Sequence, residues 1–230
     1  MKKIFILFIF QLFFASANYA QTKEIDTIRL VQNYVYNQIK NSFTVKGIEL
    51  LPGLQIMDFL NIALSKGLKK EEYYNLIYEQ TGMYELVGTF YGYDNCKIWV
   101  IPIGDNKQYL GSVGISFPQM DSFDILKSLY DNLKYSLSKK YYLYESTEIF
   151  YDDYVNSSNS NQLKLSALAD KNGKFESRFY VSEKEGSAIL GDLTLCIRPY
   201  KTDQQYFEIS LLYHAPDYFI YKYIKSDDDL

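Results

Sequence analysis

Apolar residues recur along this chain at two spacings, and the spacing divides it into helices and strands. Between Thr22 and Ser42, Ile25, Ile28, Val31, Val35 and Ile39 follow one another at three- and four-residue steps, the period of one face of an α-helix. The stretch "LPGLQIMDFLNIALSKG" predicts a second helix, entered after Pro52-Gly53 and stopped at Gly67, because glycine adopts the left-handed C-terminal conformation at little steric cost. Glu71 to Gln80 predicts a further short turn of helix. The clearest stripe is Phe123, Leu126, Tyr130, Leu133 and Leu137, with Asp121 as the expected N-cap and Asp124, Lys127, Asp131 and Lys134 on the opposite side.

Elsewhere the period falls to two. Strands are predicted at 85–92 and 96–103, joined by "YDN", and at 108–117 after "GDNK". The polar stretch "VNSSNSNQ", 155–162, reads as a flexible loop between two halves. After it come strands at 163–169 and 174–181, joined by "DKNG", where Asn172-Gly173 tolerates the positive φ of a tight hairpin. Strands at 187–198 and 205–213 complete the set. Short turns force neighbouring strands to run antiparallel. Each half closes on three strands and a helix, the second helix entered at Pro216. The prediction is an α+β fold with a largely antiparallel sheet of six or seven strands, helices on one side and a tandem βββα plan. That plan resembles the two-repeat β-lactamase-inhibitor-type fold, a likeness of fold that carries no role.

A different pattern precedes all of this. Lys2 and Lys3 lead into the apolar run Ile4–Phe14, followed by small residues in "ASANYAQ", the layout of a secretory signal peptide. The run is short of the roughly 20 residues a membrane-spanning helix needs. Cleavage is expected after Ala17 or Ala20, with no cysteine nearby to take a lipid anchor. The expectation is a leader over 1–20 and a single α+β domain over 21–230, exported to the periplasm or secreted, with no membrane insertion once the leader is gone.

Charge narrows the partners. The chain carries 24 basic and 28 acidic residues, a net −4 that becomes −6 without the two leader lysines. An acidic chain gains nothing from releasing counterions along a phosphate backbone, so nucleic acid is not an expected partner. Only Arg29, Arg178 and Arg198 are arginines, while tyrosine numbers 24. Lysine, tyrosine, phenylalanine, asparagine and isoleucine share AT-rich codons, so the tyrosine excess alone does not define a ligand surface.

The segments "KGIELLPGLQIMDFLNIALSKGL", "GTFYGYDNCKIWV", "VGISFPQMDSFDILKSLYDNLKYSLSKKY" and the terminal "DDL" resemble a family of exported proteins from Bacteroides-type gut bacteria. The family pattern has a Lys-Gly-Ile entry, a Gly-x-Phe-x-Gly-Tyr-x-Asn-Cys hairpin and a helix opening on Ser-Trp. This chain departs from it at Phe123, where the pattern has Trp, and at Tyr142, where it has Gly. The resemblance brings a source and an address but no activity. It also draws attention to Asp26-Thr27-Ile28, similar to the O-glycosylation site such bacteria use, with Thr27 as acceptor.

Chemistry is sparse. Two cysteines in an exported chain invite a Cys96–Cys196 disulfide, which over a loop near 100 residues would stabilise by about 4.7 kcal/mol in the chain-entropy model. Strand alternation pulls against it: Cys96 shares a face with Ile98 and Val100, Cys196 with Asp192, Thr194 and Arg198. Buried free thiols are therefore the favoured state, at least for Cys96, and the bridge is the alternative. The single histidine, His214, has no local signature for a Cys–His pair, and one histidine with two separated cysteines cannot build the usual zinc sites. In "DKNGKFE" the glycine falls at the fourth place, not the sixth as in a calcium loop. No cofactor is expected. Glu145, Glu148, Asp152 and Asp153 would share a face if 144–154 were helical, which leaves a carboxylate-based hydrolase acting on glycans as the alternative function.

The favoured function is a non-enzymatic binding or interaction protein of the cell envelope or secreted space. Its candidate surface is the polar face of the second-half sheet, opposite Leu163, Leu165, Ala167, Phe175, Phe179, Val181, Phe207, Ile209, Leu211 and Tyr213. Arg178, Tyr180, Arg198, Tyr206 and Glu208 are the candidate ligand-binding residues there. Planar guanidinium groups beside aromatic rings suit carboxylated sugars or peptides, so the expected partner is an envelope glycan or protein.

Overall fold

The computed structural model describes residues 43–51, 53–71, 82–104, 107–181, 190–200 and 203–216, all within one compact unit spanning 41–230. The leader, the helix expected over 22–42 with Thr27, most of the turn expected at 71–80, and the terminal helix and Asp-Asp-Leu lie outside the described residues.

The described chain opens with a hairpin, β1 (Phe43–Val45) and β2 (Ile48–Leu50), followed by helix α1 (Ile56–Ser65). Strands β3 (Lys69–Lys70), β4 (Tyr84–Phe90), β5 (Tyr93–Ile103) and β6 (Tyr109–Ser116) lead to helix α2 (Phe123–Ser138). Then come β7 (Tyr142–Phe150), the short helix α3 (Asp153–Ser157), α4 (Asn161–Ala169), and strands β8 (Gly173–Tyr180), β9 (Asp192–Tyr200) and β10 (Asp203–His214). Strands β3 to β10 form one sheet in the order β3-β4-β5-β6-β10-β9-β8-β7, and every pairing in it is antiparallel.

This order is a mirror. Each half runs helix, outer strand, then a three-strand meander, and the two meanders meet through their last strands, β6 and β10. Three strands followed by a helix are seen in the first half, β4–β6 and then α2, while the helix expected after β10 lies outside the described residues. Eight strands replace the six or seven expected: β3 and β7 are added and the strand expected at 163–169 is absent, β7 taking up most of the 144–154 stretch weighed as a carboxylate-bearing helix.

Alternation decides which side is dry. The register carries one row across seven strands: Ser146, Ser177, Leu195, Leu211, Ile115, Ile98 and Leu86. Ser177, Leu195, Ile115, Ile98 and Leu86 are fully buried. Helix α2 packs on this side against β8, β9 and β10, and its predicted stripe Phe123, Leu126, Tyr130, Leu133 and Leu137 is buried throughout. Rings interlock there: Phe123 meets Phe175 at 5.3 Å between centroids and Tyr130 meets it edge-on at 6.3 Å. The buried Tyr130 hydroxyl lies 2.7 Å from Ser177 Oγ, so neither polar group is left unpaired in the core. The hairpin covers the same side, with Phe43 stacked on Tyr213 at 5.9 Å. So does the end of α1, whose following Leu68 lies where a Cβ on Gly88 would come within 2.3 Å.

The loop and strand expected over 155–169 are helical instead. Ser160 caps α4 by accepting from the Leu163 amide, and Asn161 clasps Asp124, accepting from its amide and donating to its carboxylate, both at 2.8 Å. "DKNG" ends this helix and is not a hairpin turn. Lys171 takes φ 58, and the amides of Lys171 and Asn172 bond back to Leu168 and Ala167, a Schellman closure. Leu163, Leu165 and Ala167 alternate by chance in a segment whose helical wheel is apolar on no single side. The β4–β5 hairpin turns on Tyr91-Gly92, both at positive φ, two residues before the expected "YDN". A positive φ at both central positions is the geometry that matches strand twist.

Helix α2 is also held to the edge strand by charge. Glu148 of β7 accepts from Lys134 and pairs with Lys127 at 3.3 Å. Burial alone would raise the Glu148 pKa, but the bonds from Lys134 and then Lys127 prevail and hold it below its ordinary 4.5. A carboxylate with a depressed folded pKa stabilises above its unfolded value, and the contribution is lost as pH falls through the folded one. Glu148→Gln is expected to lower stability by about 1 kcal/mol at neutral pH, the upper range for partly exposed pairs. The difference from the parent should shrink as the pH falls below the ordinary carboxylate range, as read by urea unfolding at neutral and acid pH.

Candidate functional site

The side of the sheet away from the helices carries the opposite parity. Its central row runs Glu145, Arg178, Thr194, Leu212, Gly114, Trp99, Glu85, and the next runs Thr147, Glu176, Cys196, Ser210, Ser116, Lys97, Val87. In these two rows Thr194, Gly114, Cys196, Ser210 and Ser116 are small, Leu212 being the exception, and the longer Arg198 and Glu208 follow farther along β9 and β10. Tall ones stand on the flanks: Trp99 and Lys97 on β5, Arg178 and Tyr180 on β8. The face is thus relieved along its middle. Gly114 is required there, since a Cβ at that position would come within 2.8 Å of the Trp99 ring.

The candidate residues divide into two clusters. Arg178 and Tyr180 belong to the β7–β8 end. Tyr180 stacks on Tyr144 at 4.0 Å and faces Tyr142 at 6.4 Å. Arg178 donates from Nε to Glu176 at 2.9 Å and pairs with Glu145 at 3.3 Å, and those two carboxylates, Glu176 first, hold its guanidinium in the charged form. Arg198 and Glu208 belong to the other end, on paired positions of β9 and β10. Arg198 donates from Nε to Glu208 Oε1 at 2.7 Å and from an Nη to Ser116 at 3.2 Å, and its guanidinium lies 4.7 Å from the centroid of the Trp99 ring. One side chain thereby spans β9, β10, β6 and β5. Tyr206 sits farther along β10, exposed, next to the irregularity between Asp203 and Phe207.

Arg178 and Arg198 do not converge. The Thr194 partner of Arg178 is four residues from Arg198, about 13 Å along the strand. Each guanidinium is also already occupied by a carboxylate of its own chain. The expectation that the pair grips one carboxylated ligand has no geometric support.

The Arg198 cluster adjoins a cavity of about 230 Å³. Ser116 and Glu208 form part of its lining, with Phe117 and Pro118 from the connection toward α2. Asn95, Lys97, Gln119 and Tyr200 complete it. Lys97 is paired with Glu85 at 3.0 Å. Glu208 is only 3% exposed, and its Oε1 takes the Arg198 contacts. Tyr200 was legible by extending the alternation 192, 194, 196, 198 by one step. Trp99, Ser116 and Lys97 were not, because their place beside Arg198 depends on β6 pairing with β10.

The remaining candidates lie apart. Cys96 and Cys196 are both free. They occupy opposite faces on strands three steps apart, about 14 Å, far beyond the 4.4–6.8 Å that a disulfide spans between Cα atoms. That geometry sets the bridge aside. Burial pushes both thiols up, Cys196 to about 11, so neither holds a ready thiolate. His214 Nδ1 lies 2.7 Å from Ser112 Oγ on the open face, while Cys96 faces the core. Glu145 lies on the open face and Glu148 on the helix face, and Asp152 caps α3 by accepting from the Tyr154 amide. These carboxylates do not face one another across a cleft. Among the described residues no group of three or more His, Cys, Asp or Glu is placed to hold a metal ion, and no helix is long and apolar enough to cross a membrane.

No family model matches the chain. Neither a curated protein nor a solved structure is significantly similar to it.

Arg198 is a structural keystone of this face, and its removal is readable through the chain's single tryptophan. Arg198→Ala leaves the Glu208 carboxylate nearly buried without its cation. The expected cost is about 2 kcal/mol, below that of a fully buried pair because the guanidinium keeps partial solvent contact. Denaturant unfolding followed by Trp99 emission measures it, and Arg198→Lys is expected to recover less than half, since an ammonium cannot reproduce the planar fork.

Proposed function

We propose that this chain is an exported, non-enzymatic binding protein of the cell envelope or secreted space, with the open face of the sheet as its ligand surface. The observation that carries this reading is the order of that face. A merely solvated sheet face carries independent polar side chains, whereas here Trp99, Arg198, Glu208 and Ser116 form one connected arrangement beside a cavity. Side chains already held in place lose little rotamer freedom on binding, so more of the contact energy appears as affinity. Export rests on the Lys2-Lys3 leader, and the likeness to exported Bacteroides-type proteins supports the same address. The ligand class is a glycan or a protein segment. The carboxylate hydrolase is not favoured, since Glu145 and Glu148 stand on opposite faces.

The test is site-specific photocrosslinking of the leader-free chain in envelope extracts. A photoreactive residue at Thr194, mid-face, is expected to capture a defined ligand that one at exposed Asn132 on α2 does not. Thr194→Trp, which fills the relieved middle of the face, should weaken binding of the identified ligand at least tenfold while leaving circular dichroism unchanged. Equal capture at 194 and 132, or undiminished affinity of the Thr194→Trp chain, overturns the reading.

A further inference from the structure

We infer that the cavity beside Glu208 is a subsite for a single uncharged sugar ring, an inference that rests on the binding role proposed above and names its ligand class. Size limits the occupant first. About 230 Å³ lies below the roughly 300 Å³ at which drug-sized pockets begin, room to seat one ring. Charge limits it next. Both ionic groups of the lining are compensated within the protein, Lys97 by Glu85 and Glu208 by Arg198. A carboxylated sugar, an amino acid or a peptide terminus would bring a charge with no free counter-charge among the described lining residues to meet it, and burying an unpaired charge is costly.

An uncharged pyranose meets what remains. It has an apolar face of C–H groups and a rim of hydroxyls that both donate and accept. Pro118 and Tyr200 supply apolar surface in the lining, while Phe117, itself buried against Phe90 and Tyr93, backs it from the core. Asn95 and Gln119 supply amides, each able to donate and accept, and the Glu208 carboxylate is an acceptor for sugar hydroxyls. Because Arg198 draws on Oε1 of Glu208, it also orients that carboxylate, leaving Oε2 with no hydrogen-bond partner among the described residues. The same guanidinium lies over Trp99, so a ring that engages Glu208 perturbs the chain's single indole through Arg198.

The test uses the leader-free chain and saturation-transfer NMR with glucose, galactose, mannose and N-acetylglucosamine, beside glucuronate and alanine as charged probes, with Trp99 emission recorded in parallel. At least one neutral sugar is expected to bind in the millimolar range, with the charged probes weaker. Tyr200→Ala removes the ring, and Asn95→Gly removes the amide while suiting the positive φ of 59° at that position. Each should weaken the sugar about tenfold with the unfolding midpoint kept near the parent's. Absence of binding by every neutral sugar, preference for glucuronate or alanine, or affinity unchanged in both variants overturns the subsite. Thr194→Trp lies outside the lining and separates the two readings. Crosslinking at 194 without sugar in the cavity overturns the subsite alone. Sugar binding without selective crosslinking at 194 overturns the wider ligand surface and leaves the subsite standing.

Discussion

The pairing of β6 with β10 is the constraint on which the rest of the molecule depends. It joins residues 112–116 to 210–214 in antiparallel register, a hundred positions apart in sequence, and among the described residues it is the strand pairing that joins the two meanders. A slip of one residue would exchange the faces of everything on one side of it. Either Val113 and Ile115 would turn outward as Ser112 and Ser116 entered the core, or Leu211 and Tyr213 would turn outward as Ser210 entered it. The register is pinned from the dry side by Tyr213, whose ring stacks on Phe43 and whose hydroxyl donates to the carbonyls of Leu190 at 2.8 Å and Leu50 at 3.3 Å. From the other side it is pinned by Arg198, which reaches across β10 to Ser116.

That second pin explains an oddity of burial. Ser116, Glu208 and Ser210 lie on the face that carries no helix among the described residues, yet each is no more than 3% exposed. Arg198 of the same face contacts two of them, Glu208 and Ser116. Trp99 can lean inward because Gly114 has no Cβ, and Arg198 lies over the indole, an arrangement that strengthens as water is excluded. Desolvation of Glu208 is offset by a guanidinium held by two further contacts. One glycine thus permits a second, thin layer of packing on a face that alternation alone would assign to water.

Much of the architecture was legible because its signals were local. The α2 stripe, the stop at Gly67 and the alternation in β5, β8, β9 and β10 each reflect a single element meeting a single core. Gly67 ends α1 as expected, with the Gly67 and Leu68 amides returning to Leu64 and Ala63. Errors fell where two periods coexist or where partners are distant. Leu163 to Ala167 alternates like a strand, but the cap at Ser160 and the clasp from Asn161 to Asp124 select the helix. Residues 142–150 show no clean period because an edge strand has apolar needs on neither side: Glu148 answers to lysines of α2 and Glu145 to Arg178. The site was half legible. Alternation placed Arg178, Tyr180, Arg198 and Glu208 on one face, but strand order decides that Arg198 meets Trp99 instead of Arg178.

The charges of this face also determine how a ligand is recognised. Glu85 is matched by Lys97, Glu208 by Arg198, and Arg178 by Glu176 and Glu145, so neighbouring fields cancel over a few ångströms. A surface that steers partners from a distance needs an excess of one sign, and its reach ends within a Debye length of about 8 Å at physiological salt. This face has little such excess to project, and the chain as a whole is only mildly acidic. Selectivity must then arise at contact, from the relief between Trp99 and Arg178 and from hydrogen-bonding groups fixed by their ion pairs. A neutral, directional ligand exploits that arrangement without breaking any pair, and a charged one must displace a partner the fold already supplies.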